Sequence, residues 1–277
     1  QQWLTQDMAL PGQGLHWCTW EEIASDSVVG CFLSNELVDA FPVHLLRWDQ
    51  GQLWERYVTT VNADDGTIQF QEVVGELSTD VLLEYFELVG IEWSSDRYES
   101  GYCTEVNLAA LDWLTTVASR LHQGYVLTID YGYPAHRYYN PARNGGTLQC
   151  YYQHAHHSDP YLHVGNQDIT SHVDFTALER HGERCGLTTV GFMQQALFLM
   201  ALGLGDRIAA LSSSAPSSPI EPNETLAIND ILRRREALHA LMNPIGMGNF
   251  GVLVQSKGLS SEQQATPLKG LDIPTMG

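Results

Sequence analysis

The run Val28-Val-Gly-Cys-Phe-Leu-Ser-Asn-Glu-Leu-Val-Asp-Ala-Phe-Pro42 decides how this chain is read. Val28 to Leu33 is apolar around a single glycine. A short run of this kind fits a strand buried on both faces of a parallel sheet. Ser34, Asn35, Glu36 and Asp39 follow at its carboxyl end, which is where open α/β sheets place their ligands. The same residues also suit a helix start, with Ser34 as the N-cap and with Glu36 and Asp39 merely solvated.

A second stretch repeats the pattern. Leu108, Leu111, Leu114, Val117 and Leu121 recur at helical spacing, which predicts an amphipathic helix over Thr104 to Leu121. After Gly124 comes the apolar run Tyr125-Val-Leu-Thr-Ile129, closed by Asp130-Tyr131-Gly132. Adjacent strands lie ~5 Å apart, so neighbouring strands here would bring Glu36 and Asp130 towards one pocket. Carboxylates gathered in this way hold a cation such as a guanidinium through bidentate hydrogen bonds. Taken singly, each could cap a helix or bind backbone amides instead.

Between these strands, Val43 to Trp48, Leu53 to Val61 and Thr67 to Val74 read as a meander, turned by Asp49-Gln50-Gly51 and Asp64-Asp65-Gly66. Ser78 can cap a helix carrying Val81, Leu82, Tyr85, Phe86 and Val89. Upstream, Gln1 to Leu10 reads as the tail of a helix and Leu15 to Cys18 as a short strand. Downstream, Thr147 to Tyr152 reads as a strand, and Asp174 as the cap of a helix from Phe175 to Cys185. Leu187 to Met193 fits a strand, Gln195 to Leu204 an apolar helix, Ser212 to Pro222 an exposed loop and Glu224 to Met242 a helix. Met247 to Gln255 is a last strand, and the tail beyond Lys257 reads as poorly ordered.

Composition narrows the function. With 277 residues, 44% of them hydrophobic and 17% charged, the chain is globular and fills one large domain or two ordinary ones. A net charge of -19 argues against grip on nucleic-acid phosphates or an anionic membrane surface, and suits a basic ligand or protein segment. Five cysteines without a C-x-x-C pair read as reduced thiols in a cytosol-like compartment. No run is long enough to span a bilayer. His154, His156, His157, His163 and His172 lack metal-ligand spacing, so no metal is expected and a solvated histidine loop is the reading. Nucleophile-elbow, P-loop and dinucleotide fingerprints are all missing.

Six segments, in order, resemble the MidA-like methyltransferases, relatives of the mitochondrial complex I assembly methyltransferase. They are Ser34 to Pro42, Gly101-Tyr-Cys-Thr-Glu-Val-Asn107, Ile129-Asp-Tyr-Gly132, Gly146-Thr-Leu-Gln149, Asp168-Ile-Thr-Ser-His-Val-Asp-Phe175 and Gly246 to Gln255. The resemblance implies an α/β, Rossmann-like class I fold that binds S-adenosylmethionine. Val28 to Leu33 would be its fourth strand and Tyr125 to Ile129 its fifth. It implies methyl transfer to a protein nitrogen, with arginine on a respiratory complex I-type subunit as the relative's target. Glu36 and Asp39 would position the guanidinium, and Asp130 and His172 would take its proton. Ser34, Asn35, Thr19 and Trp20 would meet the cofactor.

The family's Gly-rich turn and ribose-binding acid precede this segment. On this reading residues 1–42 hold the third and fourth strands of a partial core, and residues 43–103 an inserted subdomain covering the substrate. Residues 104–256 complete the core and 257–277 form a flexible tail. The segment alone is expected to bind the cofactor weakly or not at all. The free edge of Val28 to Leu33 is expected to need another chain or preceding residues. The expected compartment is the cytoplasm, or the mitochondrial matrix in a eukaryote, with a homodimer as one option. A rival reading is a non-catalytic assembly protein that uses the fold to grip a partner.

Overall fold

The computed structural model describes residues 14–63, 66–153, 155–213 and 222–272. The expected helix tail Gln1 to Leu10, the turn residues Asp64 and Asp65, His154 and most of the Ser212 to Pro222 loop lie outside the described residues. The chain opens with β1 (Val28–Asn35), β2 (His44–Asp49), β3 (Gln52–Asn62), β4 (Ile68–Gly75), α1 (Val81–Val89) and β5 (Tyr102–Val106). Then come α2 (Leu108–Arg120), β6 (Leu121–Asp130), β7 (Gly132–Tyr133), α3 (Ala135–Tyr138), β8 (Gln149–Tyr152), β9 (Ala155–His157), β10 (Asp168–Thr170) and β11 (Val173–Asp174). The last part holds α4 (Phe175–Arg184), β12 (Thr188–Gln194), α5 (Gln195–Ala201), α6 (Leu204–Ser213), α7 (Pro222–Ala240), β13 (Gly251–Lys257) and α8 (Ser261–Ala265).

Among the described residues the main sheet runs β1-β6-β13-β12, with β1 parallel to β6 and β13 antiparallel to both its neighbours. The two strand-then-carboxylate stretches are therefore parallel neighbours, with Asn35 beside Ile129 at their carboxyl ends. Gly30 faces Gly124 in this pair, and a Cβ on Gly124 would lie 1.8 Å from the Gly30 carbonyl oxygen. Only glycine permits so close an approach. Helices α2 and α4 cover one face. Leu114, Val117, Phe175 and Leu178 pack there on Val126 and Leu253 in one continuous core. Each such side chain contributes ~1.5–3 kcal/mol by leaving water.

The meander forms a second, antiparallel sheet, β4-β3-β2-β5. Its own core is aromatic. Trp93 lies 5.7 Å from Trp48, 5.0 Å from Phe86 and 4.5 Å from Tyr98, measured between ring centroids. Tyr138, Tyr139 and Ala177 belong to the same core, so the segment 43–103 is packed into the rest of the molecule. The Tyr85 hydroxyl donates to Asp174 at 3.0 Å and Arg180 donates to the Leu88 carbonyl at 2.8 Å, which ties α1 to α4.

Several expectations need correction. β1 is a strand, but not one buried on both faces: Val29 is 68% exposed and Leu33 65%. It forms the sheet edge among the described residues, with β6 as its partner. Leu15 to Cys18 is not a strand, so it does not cover that edge. The helix expected from Thr104 starts at Leu108, because Tyr102–Val106 pairs with β2 and the Asn107 side chain caps α2 by accepting from the Ala110 N–H at 2.9 Å. The tail read as flexible carries structure as far as Asp272. Ser260 and Gln263 cap α8 reciprocally, and Gly270 sits so close to the Phe198 ring that a Cβ there would lie 2.4 Å from it. Capping and docking of this kind leave little trace in composition. His156 and His157 lie on β9, paired with β8, rather than in a loop.

Candidate active site

At Asn35 the chain leaves the sheet. The Glu36 N–H still reaches the Ile129 carbonyl at 3.0 Å, but Glu36 adopts φ +47°. That left-handed conformation disfavours a side chain and costs of order 1–3 kcal/mol. The loop beyond it is held by Asp130. The Oδ2 atom of Asp130 accepts the N–H groups of Val38 at 3.0 Å and Asp39 at 3.3 Å, and Oδ1 accepts that of Tyr131 at 2.9 Å. Asn107 donates to the Val38 carbonyl at 3.0 Å, and the Ser171 N–H to the Asp39 carbonyl at 2.9 Å. The Tyr131 hydroxyl donates to Asp39 Oδ2.

These contacts frame a cleft of about 760 Å³ at the carboxyl ends of β1 and β6, lined by Glu36, Asp39, Tyr131, Asp168, His172 and Phe250 among others. Among the described residues no Lys or Arg lines it. Asp39 Oδ1 and His172 Nδ1 are buried without a hydrogen-bond partner among the described residues. Burial first, and then the charge on Arg143, lower His172 to about 4, so its ring is neutral near pH 7. Burial first, and then the charge on Asp39, push Asp130 up to about 7, while its three N–H donors act the other way. Burial together with the bond to Asp39 holds the Tyr131 phenol well above its ordinary value.

Glu36, Asp39 and His172 thus meet in one cleft. Asp130 does not join them: it is 0% exposed, lies beneath the loop, and spends both oxygens on backbone N–H groups. Ser34 ends β1 as a buried residue whose hydroxyl has no partner, and Asn35 is exposed and donates to Glu36 at 3.4 Å. Thr19 and Trp20 lie apart. The Thr19 N–H is taken by Glu22 at 2.7 Å, and the Trp20 ring sits 6.0 Å from that of Phe32, midway along β1. None of Ser34, Asn35, Thr19 or Trp20 lines the cleft.

Sequence reasoning assigned no role to Tyr131, Asp168 or Phe250, although each lies within a segment singled out above. It also passed over Glu105. This buried carboxylate accepts the Thr147 N–H at 2.9 Å and the Leu148 N–H at 3.2 Å, joining the Gly101 to Asn107 and Gly146 to Gln149 segments. An acid inside an otherwise apolar or neutral stretch was the available signal. Among the described residues no group of three or more His, Cys, Asp or Glu could hold a metal ion, and no helix is long and apolar enough to cross a membrane.

Residues 1–193 match the model of a family described as "putative S-adenosyl-L-methionine-dependent methyltransferase". Two solved structures from Burkholderia thailandensis are similar. One, determined with S-adenosyl-homocysteine bound, superposes with a TM-score of 0.75 at 30% identity, covering 95% of this chain and 62% of that one. The other, a native structure of an uncharacterized protein, gives 0.74 at 30% identity, covering 95% and 64%. The chain therefore spans less than two thirds of the length of either. No curated protein matches. The chain belongs to this S-adenosylmethionine-dependent methyltransferase family, and its α/β fold is class I-like.

Proposed function

We propose that this member of the family transfers a methyl group from S-adenosylmethionine to a protein nitrogen, the guanidinium of an arginine, in the cleft at the ends of β1 and β6. One observation carries the reading: Glu36, Asp39 and Asp168 line the cleft, its one histidine is held neutral, and among the described residues no Lys or Arg lines it. Such a wall suits cations and rejects phosphates. It fits the positively charged sulfonium and amino groups of the cofactor, and a guanidinium as acceptor. The bound S-adenosyl-homocysteine of the similar Burkholderia protein supports the cofactor.

When bound, the cofactor supplies a methyl carbon made electrophilic by its positive sulfur. The chain's task is to place one nitrogen in line with that carbon, about 3 Å away, and to keep water out. Glu36 and Asp39 would grip the planar guanidinium by charge-assisted hydrogen bonds. Tyr131 occupies Asp39 Oδ2, which leaves Oδ1 for the substrate. The nitrogen's electron pair forms the new N–C bond as the C–S bond breaks towards sulfur. That nitrogen then sheds a proton, and Glu36, exposed at the rim, passes it to water. His172, held neutral by burial, adds no repulsion to a cationic acceptor. Its lowered basicity makes it a poor proton acceptor, and Asp130 acts as a positioning residue through the loop.

Incubation of the full-length protein with S-adenosylmethionine and arginine-containing proteins, followed by mass spectrometry, tests this. The expected product is methylated arginine. Methylation of a carboxylate or a small molecule in its place, with proteins untouched, would overturn the reading.

A further inference from the structure

Beside the acidic cleft lies an uncharged groove of about 490 Å³. Ala40, Ile169 and Thr170 line both, so the two share a wall. The far wall of the groove is one face of the meander sheet. Val58 pairs across from Glu72 and Thr60 from Phe70, which puts Val58 and Phe70 on the same side. Leu45 joins them, and Tyr161 faces them, its ring 5.8 Å from that of Phe70 and its hydroxyl on Glu72 at 3.0 Å. Val58 is 52% exposed and Phe70 45%, yet among the described residues no charged side chain lines the groove, and the Arg56 and Glu72 side chains of the same sheet face neutralise each other in an ion pair.

We infer that this groove selects the protein substrate: it receives a large apolar side chain lying one or two positions from the basic residue held in the acidic cleft. The inference rests on the protein-arginine reading given above. Charge complementarity names the occupant. A carboxylate-lined cleft calls for a cation, and the uncharged groove joined to it calls for apolar surface on the same ligand. An extended chain advances 3.3–3.6 Å per residue, so adjacent or next-but-one side chains can enter two pockets divided by the width of a residue or two. A free amine or a single amino acid would leave the groove uncovered.

The test uses fluorescent peptides and the full chain. One peptide carries arginine with phenylalanine two positions away, a second has serine in place of the phenylalanine, and a third has glutamine in place of the arginine. Anisotropy should show the first binding about tenfold or more tightly than either of the others. Val58→Asp and, separately, Phe70→Ser, at half-exposed positions, should abolish the preference for phenylalanine while leaving the affinity for the serine peptide unchanged. Equal binding of the phenylalanine and serine peptides, or a preference kept in both variants, would overturn the inference. Methyl transfer, measured on the same peptides, separates the two readings. A binding preference without transfer sinks the arginine methylation but keeps the groove. Transfer that is indifferent to the neighbouring residue does the reverse.

Discussion

Asp39 and Asp130, 91 positions apart, are joined by a hydrogen bond of 3.3 Å from the Asp39 N–H to the Asp130 carboxylate. With the Val38 and Tyr131 N–H groups on the same carboxylate, this bond sets the loop that carries the acids of the cleft. Asp130→Ala would leave these N–H groups unpaired in the interior, at ~1–3 kcal/mol each. Urea unfolding should show a loss of ~3 kcal/mol or more, and methyl transfer should fall with it. A variant of unchanged stability would mean that the loop is held by other contacts.

Glu36 carries the opposite signature. Its φ of +47° suits glycine, and its side chain is exposed at the cleft. Glu36→Gly relieves a left-handed strain of ~1–3 kcal/mol against ~0.5–1 kcal/mol of added chain entropy, so stability should stay unchanged or rise while methyl transfer collapses. Glu36→Gln should lose transfer with an unaltered melting temperature. Activity near wild type in both variants would remove Glu36 from the mechanism.

Burial pushes Asp174 up to about 7, although it caps α4 and accepts the Tyr85 hydroxyl. Because the folded value lies above the unfolded one, the native state binds more protons between about pH 4 and 7. This group's contribution is fully present below pH 4 and is lost as the pH rises through 7. Asp174→Asn keeps the cap through its carbonyl oxygen and can donate to the Tyr85 oxygen. Melting curves of this variant should fall less steeply between pH 4 and 7 than those of the wild type. Parallel curves would contradict the assignment.

Gly146 lies at φ +78°, where an added Cβ would come within 2.1 Å of Glu105 Oε1. Gly146→Ala should cost ~1–3 kcal/mol and loosen the bonds from Thr147 and Leu148 to Glu105. Calorimetric unfolding measures this directly, and a neutral substitution would count against the clamp.

The sequence made the strands and their carboxylates legible because burial writes periodicity into a chain. Leu114 and Val117 were readable as core, and Asp174 as a cap. The exposure of Val29 and Leu33 was not, since an apolar run looks the same whether one face of the strand is covered or both. The helical spacing starts only at Leu108, and Thr104 to Val106 before it pair with β2 instead. Glu36, Asp39 and His172 were recognisable at the cleft from their place after strands and within the resembling segments. Asp130 was read for chemistry by the same rule, but whether a carboxylate faces solvent or three backbone N–H groups depends on the loop opposite.

Transfer of labelled methyl from S-adenosylmethionine to an arginine peptide, compared between the full-length wild-type protein and its Asp39→Asn variant, decides whether the acids of the cleft hold a guanidinium for methylation. Label on a guanidinium nitrogen is expected with the wild type. With Asp39→Asn, kcat/KM should fall about a hundredfold or more with cofactor binding retained. Equal transfer by the two proteins would contradict it.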